Sequence, residues 1–310
     1  MPQMTPSQAR VVDPVLTNVA RGYKNQQFVG MSLFPYVPVA QRGGKIICFG
    51  KEHFKIYNTG RAPGAKVERI QTAYGGQPYA LEQHALAGEV PFELLEEANV
   101  VPGIDLGNAA VNRVQNIIGL ALEYAQATLA RTPGNYASTN KVTLSGDTQW
   151  SKSTSDPVAD VESFKEAVRN QIGVRPNTMI ISGKVFAALK VHPKITDRIK
   201  YTSREVATAE LLAMLFGLDK VEVGDAVYQT AAGVMTDVWG GDAVLAYTNT
   251  SGVNDAGSPS FAYTYRLVGA PIVEEPYPDR DTRTWVYPIV DEVAPVIAGA
   301  DAGFLVTGAV

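Results

Sequence analysis

From Asp105 to Arg131 the chain runs about 27 residues without a proline, and Val111, Val114, Ile118, Ala121, Leu122, Ala125 and Leu129 recur at steps of three and four. That spacing predicts one amphipathic helix on the order of 40 Å long, at about 1.5 Å per residue, with Asp105 as its N-cap. Asn108, Asn112, Arg113, Gln115, Asn116 and Glu123 fall on its far face, too polar for a membrane span. A helix more than twice the usual length acts as a beam, and the rest of the fold must supply a layer long enough to cover its apolar side.

The text on either side shows what that layer can be. Residues 1–40 carry Pro2, Pro6, Pro14, Pro35 and Pro38 and little periodicity, which predicts an extended arm that lies on something other than itself. From Gly43 to about Gly88, β-rich stretches (GGKIICFGKEHFKIY and QTAYGGQPYALEQHALAGEV) flank the basic, Gly/Pro-punctuated NTGRAPGAKVERI, the pattern of a long projecting hairpin. A short helix follows at Phe92–Ala98 and stops at Val101-Pro102-Gly103.

Residues 134–155 shift to Ser/Thr-rich text with one short strand, Lys141–Leu144, and mark a domain boundary. Asp156-Pro157 then opens a helix to about Ile172. After it come a strand at Thr178–Ile181, helices at Lys184–Val191, Pro193–Tyr201 and Thr208–Phe216, and strands at Lys220–Val223, Asp242–Tyr247, Phe261–Leu267 and Trp285–Val290. This second half is a mixed α/β body. Val293–Val310 holds a single charge, Asp301, but Pro295, Gly299, Gly303 and Gly308 break it; it reads as buried strands, IVDEVAPVI and GFLVT, rather than a membrane anchor.

Charge and motif content exclude several functions. With 27 basic and 31 acidic residues, and no Lys/Arg run of five or more, the chain lacks the patch that tight nucleic-acid binding requires. Cys48 is the only cysteine, so no internal disulfide forms, and its apolar neighbours predict a small buried hydrophobe. The N-terminus has no secretory signal pattern, which makes the sequon-like Asn249-Thr250-Ser251 meaningless. Phosphate-binding glycine loops and a G-x-S-x-G elbow are missing. His53, His84 and His192 sit in separate segments as surface or turn residues, without zinc spacing. Neither cofactor nor metal is expected.

Acids cluster once, at Glu274, Glu275, Asp279 and Asp281, interleaved with Arg280 and Arg283. An enzyme would use Asp279 and Asp281 as metal ligands or an acid/base pair; a salt-bridged turn, closed internally or against a neighbouring subunit, accounts for two prolines and two arginines better.

The order of parts (arm, hairpin, beam helix, Ser/Thr crossing, α/β body, apolar return) resembles the major capsid protein of tailed bacteriophages, whose fold is shared with encapsulins and the herpesvirus capsid floor. VTLSGDTQWSKSTSDPVADV, PNTMIISGKVFAALKVHPKITDRIKY and VAPVIAGADAGFLVTGAV are similar to family text, and the resemblance covers nearly the whole chain. It implies an α+β fold with an N-terminal arm (1–40), an extended loop (41–88), a peripheral domain with a spine helix (89–133), a crossing segment and axial α/β domain (134–270), and return strands to the peripheral domain (271–310).

It also implies a non-enzymatic subunit that forms the hexamers and pentamers of an icosahedral shell around packaged double-stranded DNA, touched weakly and non-specifically. Such a subunit is built in the host cytoplasm and resides in the virion, with no membrane partner. Its other partners would be a portal protein, a decoration protein where one exists, and a scaffolding protein, separate because only about forty residues precede the hairpin. Inter-subunit contacts are expected from Lys51, Lys55, Arg61, Lys66 and Arg69 of the loop and from Glu274, Glu275, Asp279, Arg280, Asp281 and Arg283. Deleting residues 1–30 should then leave a folded subunit unable to assemble. An encapsulin-like compartment and a cytoplasmic enzyme with a site near Asp279–Arg283 are the competing readings.

Overall fold

The computed structural model describes residues 13–22, 25, 27–48, 75–98, 105–199, 207–249 and 260–310, and of residues 46–48, 75–77 and 98 the backbone alone. Helix α1 (Pro14–Gly22) begins where Asp13 Oδ1 accepts the amides of Val15 and Leu16, both at 2.9 Å. Strands β1 (Tyr36–Val39), β2 (Gly43–Cys48), β3 (Gly75–Ala80) and β4 (Glu82–Pro91) lead to helices α2 (Phe92–Ala98) and α3 (Leu106–Arg131). The beam predicted from periodicity is α3, capped by Asp105, whose side chain accepts the amide of Asn108.

Next come β5 (Lys141–Thr143), α4 (Pro157–Ile172), β6 (Thr178–Ser182), α5 (Gly183–Val191), α6 (Pro193–Ile199) and α7 (Ala209–Phe216). Asp156 and Thr208 cap α4 and α7, and each ends on a glycine with positive φ, Gly173 and Gly217, a conformation that costs other residues far more. The remaining strands are β7 (Lys220–Gly224), β8 (Val227–Gln229), β9 (Met235–Asp237), β10 (Ala243–Ala246), β11 (Ala262–Leu267), β12 (Ile272–Val273), β13 (Tyr277–Asp279), β14 (Thr284–Ile297) and β15 (Gly303–Thr307).

Two sheets organise the chain. The first is built on β14, which pairs along ten residues with β4 on one edge and with β13, β12 and β11 on the other; β1 adds to β11 in parallel. α3 packs on this sheet through Val111, Val114 and Ile118, with Ile289, Val273 and Ala20 completing the cluster. The second sheet has the order β5-β15-β10-β6-β7. β6 and β10 are buried at every residue, and Phe304 of β15 stacks on Phe164 of α4 at 4.3 Å. Burial on both faces explains why these strands read as unbroken apolar runs.

Several expectations are corrected. The N-terminal segment does bury itself over its described part: Thr17 Oγ1 exchanges hydrogen bonds with the backbone of Val273, Leu33 and Phe34 are fully buried, and β1 joins the first sheet. Among the described residues, 43–48 and 75–80 pair as the hairpin stem, while residues 82–91 belong to the β14 sheet. Residues 49–74 lie outside the described residues. β11, expected in the body, pairs with β14. β14 is one strand, running through Pro288 and Pro295, where two, Trp285–Val290 and IVDEVAPVI, were expected.

The C-terminal return divides: β14 lies beside α3 as expected, but β15 inserts between β5 and β10 in the second sheet. Three segments therefore cross between the sheets, at 132–140, 247–261 and 298–302. They are laced together: Asn140 Nδ2 donates to the carbonyls of Asp301 (3.1 Å) and Gly303 (3.0 Å), and the amides of Ala298 and Gly299 donate to Phe261 O.

Candidate functional site

The second half of α3 turns polar side chains inward, against the expected division of its faces. Gln115, Glu123 and Gln126 are buried, whereas Ile117, Ala121 and Tyr124 face outward. Glu123 explains why. Its carboxylate accepts the amides of Val29 (3.1 Å) and Gly30 (2.9 Å) and the Trp239 indole N–H (2.7 Å). Burial pushes its pKa above the ordinary carboxylate value, and those three donors pull it back. Alongside, Gln126 Nε2 donates to Thr264 Oγ1 at 2.8 Å, and Arg131 bridges Asp242 (2.7 Å) and Val238 O (2.8 Å). One helix face thereby ties together the N-terminal segment, the first sheet and the body.

A second pair of ionic ties sits on consecutive residues of β14. Asp291 is almost wholly buried and receives the Arg266 guanidinium in a fork, while Arg266 also stacks over the Tyr36 ring at 4.5 Å. Glu292 receives Arg42 through two bonds of 2.6 and 2.9 Å. Arg42 immediately precedes β2, so this bidentate contact fixes the root of the hairpin.

The acidic cluster divides: Asp279–Arg283 form the exposed hairpin turn between β13 and β14, and Glu274 and Glu275 lie in the connection from β12 to β13. Asp279 accepts the Asp281 amide (2.9 Å) and the Thr282 hydroxyl (3.0 Å), and the first of these bonds holds its carboxyl below the usual range. Arg283, at φ 55°, closes the turn and reaches Glu93 of α2 at 3.4 Å. The expected ion pairs within the turn are replaced by backbone capping, and an Asp279/Asp281 acid–base pair finds no enclosed setting on it. Glu275, Arg280 and Asp281 are exposed; Glu274 is partly buried. The loop cations Lys51, Lys55, Arg61, Lys66 and Arg69 lie outside the described residues.

His192 is buried rather than a surface residue. Its Nδ1 accepts the Lys194 amide (3.3 Å), which leaves Nε2 as the N–H that donates to Lys152 O (2.9 Å) beside Ser155 Oγ (3.2 Å). Ser155 itself donates to Lys152 O. In that tautomer the imidazole cannot take a proton from the serine, and the pair is a structural clasp. Among the described residues no group of three or more His, Cys, Asp or Glu could hold a metal, and no helix is long and apolar enough to cross a membrane.

What remains outward is apolar. A groove of about 490 Å³ between β4, α2 and α3 is lined by Leu86, Leu94 and Ile117, each 40–49% exposed. Glu89 and Arg113 also line it, and Glu93, Glu96 and Glu97 are exposed on α2. Tyr124 continues the band along α3 to Tyr228 of the β8–β9 hairpin, their rings 4.8 Å apart, and Val234 and Met235 on that hairpin are each 60% exposed. Exposed apolar area of this extent, edged by charge, characterises association surfaces.

Comparison with known proteins agrees with this character. The family model described as Phage major capsid protein E matches residues 128–303. The major capsid protein of Burkholderia phage BcepMu is 38% identical over 306 residues, 97% of this chain and 98% of that one. The crystal structure of a phage-related protein from Bordetella bronchiseptica RB50 superposes with a TM-score of 0.84 at 43% identity, covering 97% of this chain and 99% of that one. The capsid structure of cyanophage P-SCSP1u, 9% identical, shares the fold alone, with a TM-score of 0.58 over 92% and 89% of the two chains. Surfaces built for association, two sheets strapped by one long helix, and these likenesses lead to one conclusion: the chain belongs to the phage major capsid protein E family and has the α+β fold of phage capsid proteins.

Proposed function

We propose that the chain is the shell subunit of a phage head, self-associating into the hexamers and pentamers of an icosahedral capsid that encloses double-stranded DNA. Family membership is the observation that carries this reading, and it favours a phage head over an encapsulin-like compartment. A net charge of −4 suits a container wall that confines DNA without binding it tightly. Portal, scaffolding and decoration proteins are its proposed partners, and the host cytoplasm its place of assembly.

Within that reading, the basic loop residues Arg61, Lys66 and Arg69, with Lys51 and Lys55, meet acidic surface on an adjacent subunit. The exposed acids Glu89, Glu93, Glu96 and Glu97 supply such a surface, and Glu274, Glu275, Asp279, Arg280, Asp281 and Arg283 add further contacts from the connections on either side of β13. Contacts of this kind set register and encounter rate, and many weak ones add up across a closed lattice.

The test is negative-stain microscopy of the expressed protein, with and without a scaffolding protein, beside a variant carrying Arg61→Glu, Lys66→Glu and Arg69→Glu. Closed shells from the wild type, and unassembled subunits of unchanged thermal midpoint from the variant, are expected. A variant that assembles normally refutes the loop assignment; a wild-type protein that stays monomeric with scaffold supplied refutes the shell itself.

A further inference from the structure

Where the N-terminal segment lies over α3 the structure leaves a cavity of about 390 Å³. Phe28 and Met31 form its roof, and Ile118 and Leu122 of α3 form its floor. That volume is several times a benzene-sized void and within the range of small-ligand sites. Gln115 also lines it. This side chain is 7% exposed, and its Nε2 is one of two buried side-chain polar atoms without a hydrogen-bond partner among the described residues. A buried amide N–H with no acceptor costs free energy that an occupant's oxygen would recover. Arg21, Arg266 and Asp291 also line it, two cations against one anion, so the lining carries an excess of positive charge.

We propose that this cavity is a binding site for a small carboxylate with an apolar body, such as a medium-chain fatty acid. Its alkyl or aryl part lies between Ile118, Leu122, Phe28 and Met31. Its carboxylate accepts from Gln115 Nε2. An occupant there touches the N-terminal segment and α3 at once, and so holds that segment in its docked position.

Calorimetric titration and thermal unfolding of the full-length unassembled subunit with octanoate test the site, with octanamide as the neutral control. One octanoate per subunit is expected, with saturable binding and a concentration-dependent rise in unfolding temperature; octanamide should bind several-fold more weakly. Gln115→Leu should weaken octanoate binding about tenfold. Filling the cavity from opposite walls, by Ala20→Leu or by Ile118→Trp, should abolish binding in whichever variant retains a cooperative melt. Absence of saturable binding, or equal binding to the filled variants, overturns the site. Unchanged affinity in Gln115→Leu overturns the amide's role, and equal affinity for octanamide overturns the carboxylate assignment.

Discussion

Replacing Glu123 by glutamine keeps the shape of the side chain and changes what it can accept. The carboxylate serves three donors: the amides of Val29 and Gly30 and the indole of Trp239. A glutamine retains one acceptor oxygen, which in the position of Oε1 reaches all three donors, and presents an NH₂ where Oε2 now accepts the Gly30 amide at 2.9 Å, so the bond to Gly30 is weakened or lost. One buried donor without an acceptor costs about 1–3 kcal/mol. Relief from burying a charge offsets part of this, because burial is what raises the carboxyl's pKa. The expected net loss is about 1 kcal/mol at neutral pH, read as a lower urea midpoint at unchanged slope in the unassembled subunit, with Trp239 contributing to the fluorescence signal.

The pH dependence gives an independent check. The folded carboxyl binds its proton at a higher pH than the unfolded one. Stability linked to that proton is fully present below the unfolded pKa and is lost as pH rises through the folded value. The advantage of wild type over Glu123→Gln should therefore grow as pH falls from the raised folded pKa toward the ordinary carboxylate value. A variant within about 0.5 kcal/mol of wild type would refute the three-donor account, whereas an advantage that shrinks on acidification would show that the donors outweigh burial and would refute the raised pKa.

Two further outcomes follow from the geometry. Arg266→Met strands Asp291 in the first sheet and should cost about 3–5 kcal/mol in denaturant melts, much of it recovered when Asp291→Leu is added; a single-mutant loss below about 1 kcal/mol would show that Asp291 does not depend on its partner. Deleting residues 1–30 removes α1 together with Val29 and Gly30, both bonded to Glu123, and should yield an aggregating subunit instead of the folded, assembly-deficient one expected from sequence. A cooperative wild-type-like melt from that truncation would contradict the docking of the segment.

Local signals were legible where the physics is local. The caps at Asp105, Asp156 and Thr208, the glycine stops at 173 and 217, and the beam itself follow from spacing and side-chain chemistry within a few residues. The inward polar face of α3 does not, because the donors that satisfy Glu123 come from residues 29, 30 and 239, and periodicity assigns a glutamate to solvent. His192 was missed for the same reason: its acceptor is a backbone carbonyl forty residues earlier. Pro295 read as an interruption of the apolar C-terminal stretch, yet β14 absorbs it along with Pro288. Composition marks β15 as a buried strand but cannot choose its sheet, since an apolar five-residue strand fits either. The basic residues of the loop were legible as a cluster, while the apolar band of Leu86, Leu94, Ile117 and Tyr124 was hidden among positions that read as ordinary core.

The three crossings laced through Asn140, Phe261 and Gly299–Gly303 also define a load path. Tension that draws the two sheets apart is shared by three covalent chains in parallel, each far stronger than any hydrogen bond or apolar contact. The hydrogen bonds between crossings spread the strain among them. A wall assembled from such units under internal pressure should stretch and fail along the seams between subunits, leaving each subunit whole, so its bursting strength is decided by the surfaces through which copies meet.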